Sequence, residues 1–417
     1  MKVLLKAATV VDAQNLDIHL KKRDILIVDG VISKIASKIE ASEEMEVISK
    51  KNLHVSQGWL DTSVSFGEPG FEERETIENG LLVAAKSGFT AVVLNPTSHP
   101  IPDSSSDIVF LKSSAAGYAT DVYPLGTLTV KGEGTDLSEI FDMKNSGAVG
   151  FSDHKHPIAN SNLLKIALQY TQSFKGLVYS FPIDEKIAGK GIVNEGITST
   201  RLGLKGIPAL AEELQVARDL FILEYTGGSL HIPTISTAKS VALIAEAKKK
   251  GLDVSCSVAL HNLWFTDESL EEFDTHFKVM PPLRSKQDIK ALLKGVNSGV
   301  IDFVTTDHSP MDIEQKKVEF DNAAYGTIGL ENAFGILNEL FGVEKAVALL
   351  TQHKERYSIP TTAIKEGEKA CLTLFNPEEA YTASIDQLAS TSKNSIYLHQ
   401  KLKGKALGIV NGSGIII

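Results

Sequence analysis

Between residues 54 and 364, short apolar runs alternate with amphipathic stretches. Eight of the runs have the length and composition of buried strands: 60–66, 90–95, 122–128, 148–152, 176–181, 229–235, 253–260 and 301–306. Helical periodicity fills the gaps, most clearly at 209–223 and 237–250. Strand–helix alternation repeated eight times predicts a (β/α)₈ TIM barrel. The alternative is a doubly wound sheet, but no G-x-G-x-x-G turn follows the first strand.

Both chain ends have a different pattern. Runs at 3–5, 8–11, 24–28 and 31–35 are β-rich, and Asp29-Gly30 between the last two is a hairpin signal. Runs at 370–377 and 405–412 are similar. This pattern predicts one small β-sandwich domain built from residues 1–53 and 365–417, with the barrel at 54–364.

The chain has 417 residues, enough for a barrel and a second module. The formal net charge is −10, and the densest basic run is Lys248-Lys249-Lys250. Nucleic acid and anionic membranes are therefore poor partners. No stretch approaches the length of an uncharged membrane span, and the N-terminus lacks a signal-peptide h-region. The two cysteines, Cys256 and Cys371, form no C-x-x-C pair, and a reducing cytoplasm is the expected compartment.

Barrel chemistry sits at the C-terminal ends of the strands. The first strand leads into Gly58-Trp59-Leu60-Asp61-Thr62-Ser63-Val64-Ser65-Phe66-Gly67-Glu68-Pro69-Gly70-Phe71. Further on stand Leu202-Gly203-Leu204-Lys205-Gly206-Ile207-Pro208, Lys278-Val279-Met280-Pro281-Pro282-Leu283-Arg284, Thr306-Asp307-His308-Ser309-Pro310 and Gly326-Thr327-Ile328-Gly329-Leu330-Glu331. With these motifs the chain resembles the dihydroorotase family over nearly its whole length. The resemblance implies the metal-dependent-hydrolase barrel, a zinc site, and hydrolysis or closure of a cyclic amide in pyrimidine biosynthesis.

The same resemblance shows what is missing. The family writes its first strand G-x-[IL]-D-x-H-x-H-x-R-E-P-G; here the histidine positions are Ser63 and Ser65, and the arginine position is Gly67. Strand four usually ends S-D-D-G, and His154 stands at the second aspartate. The strand-five histidine corresponds to Ser180, and the strand-six ligand to Thr234. Asp307 alone is retained, as a vestigial general base. On the substrate side, Thr97 and Met280 replace asparagines and Met311 replaces a histidine. Hydroxyls are poor zinc ligands beside imidazole, so zinc is expected to be lost.

Weaker signals have simpler readings. Asp153-His154-Lys155-His156 could form a relocated metal site only if the loop turned its side chains inward together. His231 is expected to be a buried, hydrogen-bonded core histidine, His261 and His308 supporting or packing residues, and Cys256 a quiet core thiol. No G-x-S-x-G elbow accompanies the serines. The expected protein is a non-catalytic dihydroorotase homologue with a structural or regulatory role. It is expected to be a homodimer, with aspartate transcarbamoylase as a candidate partner by family analogy. The alternatives are a cyclic-amide hydrolase that still works through Asp307 with an altered metal site, and a ligand-sensing module.

Overall fold

The computed structural model describes all 417 residues. All eight expected barrel strands form: Trp59–Val64, Phe89–Leu94, Asp121–Gly126, Gly150–Phe151, Leu177–Tyr179, Ser229–Ile232, Val254–Ala259 and Phe303–Thr305. They are parallel and adjacent in chain order. Strand one meets strand eight through a parallel bridge between Val64 and His308, where Ser65 N donates to His308 O at 2.7 Å. The result is the (β/α)₈ barrel. Strands four and five are shorter than expected, at two and three residues.

Side-chain alternation sorts the strands into two cores. Leu60, Val93, Leu125, Leu177, Tyr179 and Phe303 share the smaller one with Tyr357 and Ile359 from the segment after the barrel. The other faces contribute to a cluster of 59 buried residues that joins the barrel to its helices. Helix starts follow local capping: Thr76 Oγ1 accepts from Asn79 N at 3.1 Å, and Thr237 Oγ1 from Ser240 N at 3.2 Å. Helices expected at 209–223 and 237–250 are Ala209–Thr226 and Ala238–Lys249.

The two termini build one β domain. Its hydrogen-bonded order is Gly414–Ile416, Lys401–Asn411, Cys371–Thr382, His54–Gln57, Lys2–Val11, Lys22–Val28 and Val31–Ala36, with Glu46–Ile48 also on Lys2–Val11. The sheet draws in His54–Gln57, the first residues of the segment expected to open the barrel. It has its own core of 16 buried residues. The two N-terminal runs are one strand, interrupted by a shift between Leu5 and Ala8, where Asp24 Oδ1 accepts from Ala7 N at 2.7 Å. At the expected hairpin Asp29 and Gly30 have φ of 48° and 79°, the double left-handed pair of a type I′ turn. No helix is long and apolar enough to cross a membrane.

Candidate functional site

At the C-terminal ends of the strands lies a small cavity. Among its lining residues are Ser63, Asn95, His154, Lys155, Thr234 and Asp307. Its free space is about 20 Å³, room for about one water molecule. Three lining residues, His154, Thr234 and Asp307, have φ of 53°, 46° and 50°. A β-branched threonine rarely adopts that conformation, so the strand ends are held in this shape by their surroundings.

Asp307 is the centre of the site. Lys155 Nζ lies 2.9 Å from Asp307 Oδ2, and Ser63 Oγ donates to Asp307 Oδ1 at 3.0 Å. Asn95 Nδ2 donates to both Ser63 Oγ and Ser65 Oγ at 3.1 Å. Burial alone would raise the Asp307 carboxyl, but the Lys155 charge, with His261 and His154 nearby, outweighs it and holds the group below its ordinary value. His154 is pushed down to about 3, first by burial and then by the Lys155 charge.

Beneath this layer Asp61 ties strand one to strand eight. Its carboxylate accepts from Ser63 N and Thr306 N, both at 3.0 Å, and from Thr305 Oγ1. Asp153 is also a pin, accepting from Leu128 N and Thr129 N at 2.9 Å and from Thr129 Oγ1 at 2.7 Å. His156 is exposed on the following turn. The loop therefore does not bring Asp153, His154 and His156 together as ligands.

Ser180 requires a correction. Its Oγ donates to Asp219 Oδ2 at 2.6 Å, toward helix Ala209–Thr226 and away from the cavity. Leu177 and Tyr179 point into the barrel, so alternation turns Ser180 outward and Phe181 inward; Tyr179 and Phe181 both line the cavity. Thr234 stands at the mouth as expected. His231 is buried, its Nδ1 2.8 Å from Ser255 Oγ and its Nε2 3.2 Å from Ser257 Oγ. His261 and His308 are fully buried, and burial lowers both. Cys256 is buried, and burial raises its thiol well above the ordinary value.

None of the four substrate-side positions lines the cavity. A Cβ at Gly67 would stand 1.8 Å from Phe71 O, so the 67–71 turn has closed over the space an arginine stem needs. Thr97 Oγ1 donates to Phe66 O at 3.4 Å. Met280 packs with Ala188, Ile207 and Ala211, and Met311 N donates to Asn394 Oδ1 at 3.1 Å.

Two residues of this network have no individual signal in the sequence. Asn95 opens the run the family writes M-P-N-T-N-P, and Lys155 stands at the glycine of S-D-D-G. A polar residue at both places, beside serines where the family writes histidines, was the available clue. The donor set does not fit zinc. It offers serine and threonine hydroxyls, and its one central carboxylate is paired with an ammonium; no three His, Cys, Asp or Glu side chains converge.

The barrel, its terminal β domain and a polar site at the strand ends define the class: an amidohydrolase-superfamily fold. A model of the "Dihydro-orotase-like" family matches residues 54–240. A dihydroorotase of Pelotomaculum thermopropionicum is 38% identical over 424 residues, covering 100% of this chain and 99% of the relative. One from Geobacter metallireducens is 35% identical over 427 residues, with the same coverage. Among solved structures, an L-hydantoinase (dihydropyrimidinase) from Arthrobacter aurescens aligns with a TM-score of 0.83 at 20% identity, covering 99% of this chain and 95% of that one. A dihydropyrimidinase from Brevibacillus agri aligns with a TM-score of 0.84 at 20% identity, covering 100% and 95%. The chain belongs to the dihydroorotase family.

Proposed function

We propose that this chain is a non-catalytic dihydroorotase homologue that serves pyrimidine biosynthesis in a structural or regulatory role, in the cytoplasm. The observation that carries the reading is the ion pair between Lys155 Nζ and Asp307 Oδ2, at 2.9 Å. Dihydroorotase chemistry needs a metal-activated water and a carboxylate free to move protons. Here the positive charge at the strand ends belongs to a lysine, and the carboxylate is occupied by it. The Gly67 turn supports the same reading, since it excludes an arginine for a substrate carboxylate. The cavity's size counts against a ligand-sensing role at this point, because a cyclic amide needs far more than room for one water.

The proposed assembly is a homodimer that docks onto aspartate transcarbamoylase, a role suggested by family analogy. Elemental analysis after chelator dialysis tests the site: well under one zinc per chain is expected. Turnover assays in both directions should give only background. Stoichiometric zinc, or turnover that Asp307→Ala abolishes, would restore the hydrolase reading.

A further inference from the structure

Helix Ala209–Thr226 carries apolar residues on both its buried and its exposed side. Its buried face sets Glu212, Gln215 and Asp219 among the apolar Ala211, Val216, Leu220 and Leu223, and both carboxylates are held by hydrogen bonds. Glu212 accepts from Ser236 N at 2.8 Å and Thr237 N at 3.0 Å, while Asp219 accepts from Ser180 Oγ and Arg218 Nε. Its exposed face is apolar: Leu210, Leu214, Phe221 and Tyr225 are four of its five exposed residues, and Phe221 and Tyr225 are 71% and 81% exposed. A surface helix normally turns charged and polar residues to that side.

The spacing of the stripe is informative. Leu210, Leu214, Ala217 and Phe221 follow the four–three–four rhythm of a two-helix seam. The stripe is also self-complementary. In an antiparallel pairing with the twofold axis between positions 217 and 218, Leu210 faces the copy's Tyr225 and Leu214 faces its Phe221. Ala217 then faces the copy's Arg218 beside the axis. An isologous interface requires this symmetry, because the same patch must fit itself.

The patch continues onto helix Ser161–Thr171. Gln172 Nε2 donates to Thr226 O at 2.8 Å, joining the two helix ends, and Ile166 and Tyr170 are exposed beside them. Tyr170 contacts Phe174, and Phe174 contacts the exposed Phe141. At about 200 Å² per aromatic side chain, the exposed parts of Phe221, Tyr225, Tyr170 and Phe141 amount to roughly 500 Å². With Leu210, Leu214 and Ile166 added, the patch approaches the ~800 Å² per partner of a stable dimer.

We propose that this face is the dimer interface of the protein and that its occupant is a second copy of this chain, paired antiparallel along Ala209–Thr226. The proposal rests on the homodimer reading above but not on the state of the Asp307 site, so its test needs neither zinc nor turnover.

The test is light scattering at low micromolar concentration with the full chain. Wild type should have twice the 45.0 kDa chain mass. Phe221→Glu and Leu214→Glu should give monomers with wild-type melting curves, because both positions are exposed. Ala217→Cys should form an intermolecular disulfide under mild oxidation, since Cys256 and Cys371 lie elsewhere and Cys256 is buried. A monomeric wild type would overturn the proposal. So would a dimer that survives both glutamates and leaves Ala217→Cys uncrosslinked. A wild type that is monomeric alone but binds the transcarbamoylase through Phe221 would also overturn it, assigning the face to that partner.

Discussion

Lys155 and Asp307 come from the ends of strands four and eight, 152 residues apart in the chain, and form an ion pair at 2.9 Å. Asp307 is 4% exposed and Lys155 18%. Asn95, Ser63 and Ser65 complete the layer on the other side of the carboxylate. A connected polar network thus satisfies the buried carboxylate.

The pair should behave as buried ion pairs do when one partner is removed. Lys155→Met leaves Asp307 buried and uncompensated, which costs about 3–5 kcal/mol. Asp307→Asn should cost less, because the amide is neutral and still accepts from Ser63. The double variant should be more stable than Lys155→Met alone. Urea unfolding of the four proteins measures this as a double-mutant cycle. Additive effects would mean that the pair is not coupled.

Restoring the arginine of the family's first strand should fail structurally. In Gly67→Arg the new Cβ meets Phe71 O, and Phe71 N already donates to Gly67 O at 2.9 Å. The turn must open, at a cost of about 1–3 kcal/mol. The melting temperature should fall and binding of dihydroorotate should not appear. A variant with unchanged melting would show that the turn opens freely.

The fold was legible because its signals are local or periodic. Eight apolar runs mark eight strands, and Asp29-Gly30 marks a hairpin whose two residues do take left-handed φ. Ser63, Ser65, Thr234 and Asp307 were legible through motifs that keep their frame. Ser180 was misplaced by one residue. Strand five is three residues long, so its pattern is too brief to fix which face a residue takes, and a one-residue slip reverses the face. Lys155 and Asn95 were not legible for another reason. Each acquires its meaning only from residues that the closed barrel brings within hydrogen-bond reach. Helix Ala209–Thr226 kept a helical period, but with apolar residues on both sides the sequence does not say which face meets the barrel.

A second buried cation gives a prediction about pH. Lys316 Nζ donates to Ala324 O at 2.9 Å and Gly326 O at 3.1 Å, while the neighbouring Lys278 Nζ donates to Phe320 O and Asp321 O. Burial, and then the Lys278 charge, push Lys316 down to about 7 from its ordinary 10.5. Between those values the unfolded chain holds a proton that the folded chain does not. Stability therefore rises with pH through the window from about 7 to about 10, and this contribution is absent below it. Lys316→Met should flatten that rise relative to wild type in melting curves taken from neutral to alkaline pH. Parallel curves for the two proteins would mean that Lys316 stays charged in the fold.

The most demanding prediction is reconstruction of a metal site. Ser63→His, Ser65→His, Ser180→His, Thr234→His and His154→Asp together follow the family motifs residue by residue. This set should not hold zinc well, for two reasons. A histidine at 180 would point toward Asp219, outside the cavity, and Lys155 would still occupy Asp307. The geometry favours a different set: Ser63→His, Ser65→His, Phe181→His, Thr234→His, His154→Asp and Lys155→Gly. It aims the strand-five imidazole inward and removes the competing ammonium. Thr234→His also relieves strain, since histidine tolerates a φ of 46° better than a β-branched residue. Elemental analysis and zinc titration of both proteins, with circular dichroism as the folding check, separate the cases. Zinc bound by the second and not the first is the expected result. Equal binding by both would show that neither Lys155 nor the facing of Ser180 keeps metal out. A folded second variant that binds none would show that these strand ends do not converge on one point.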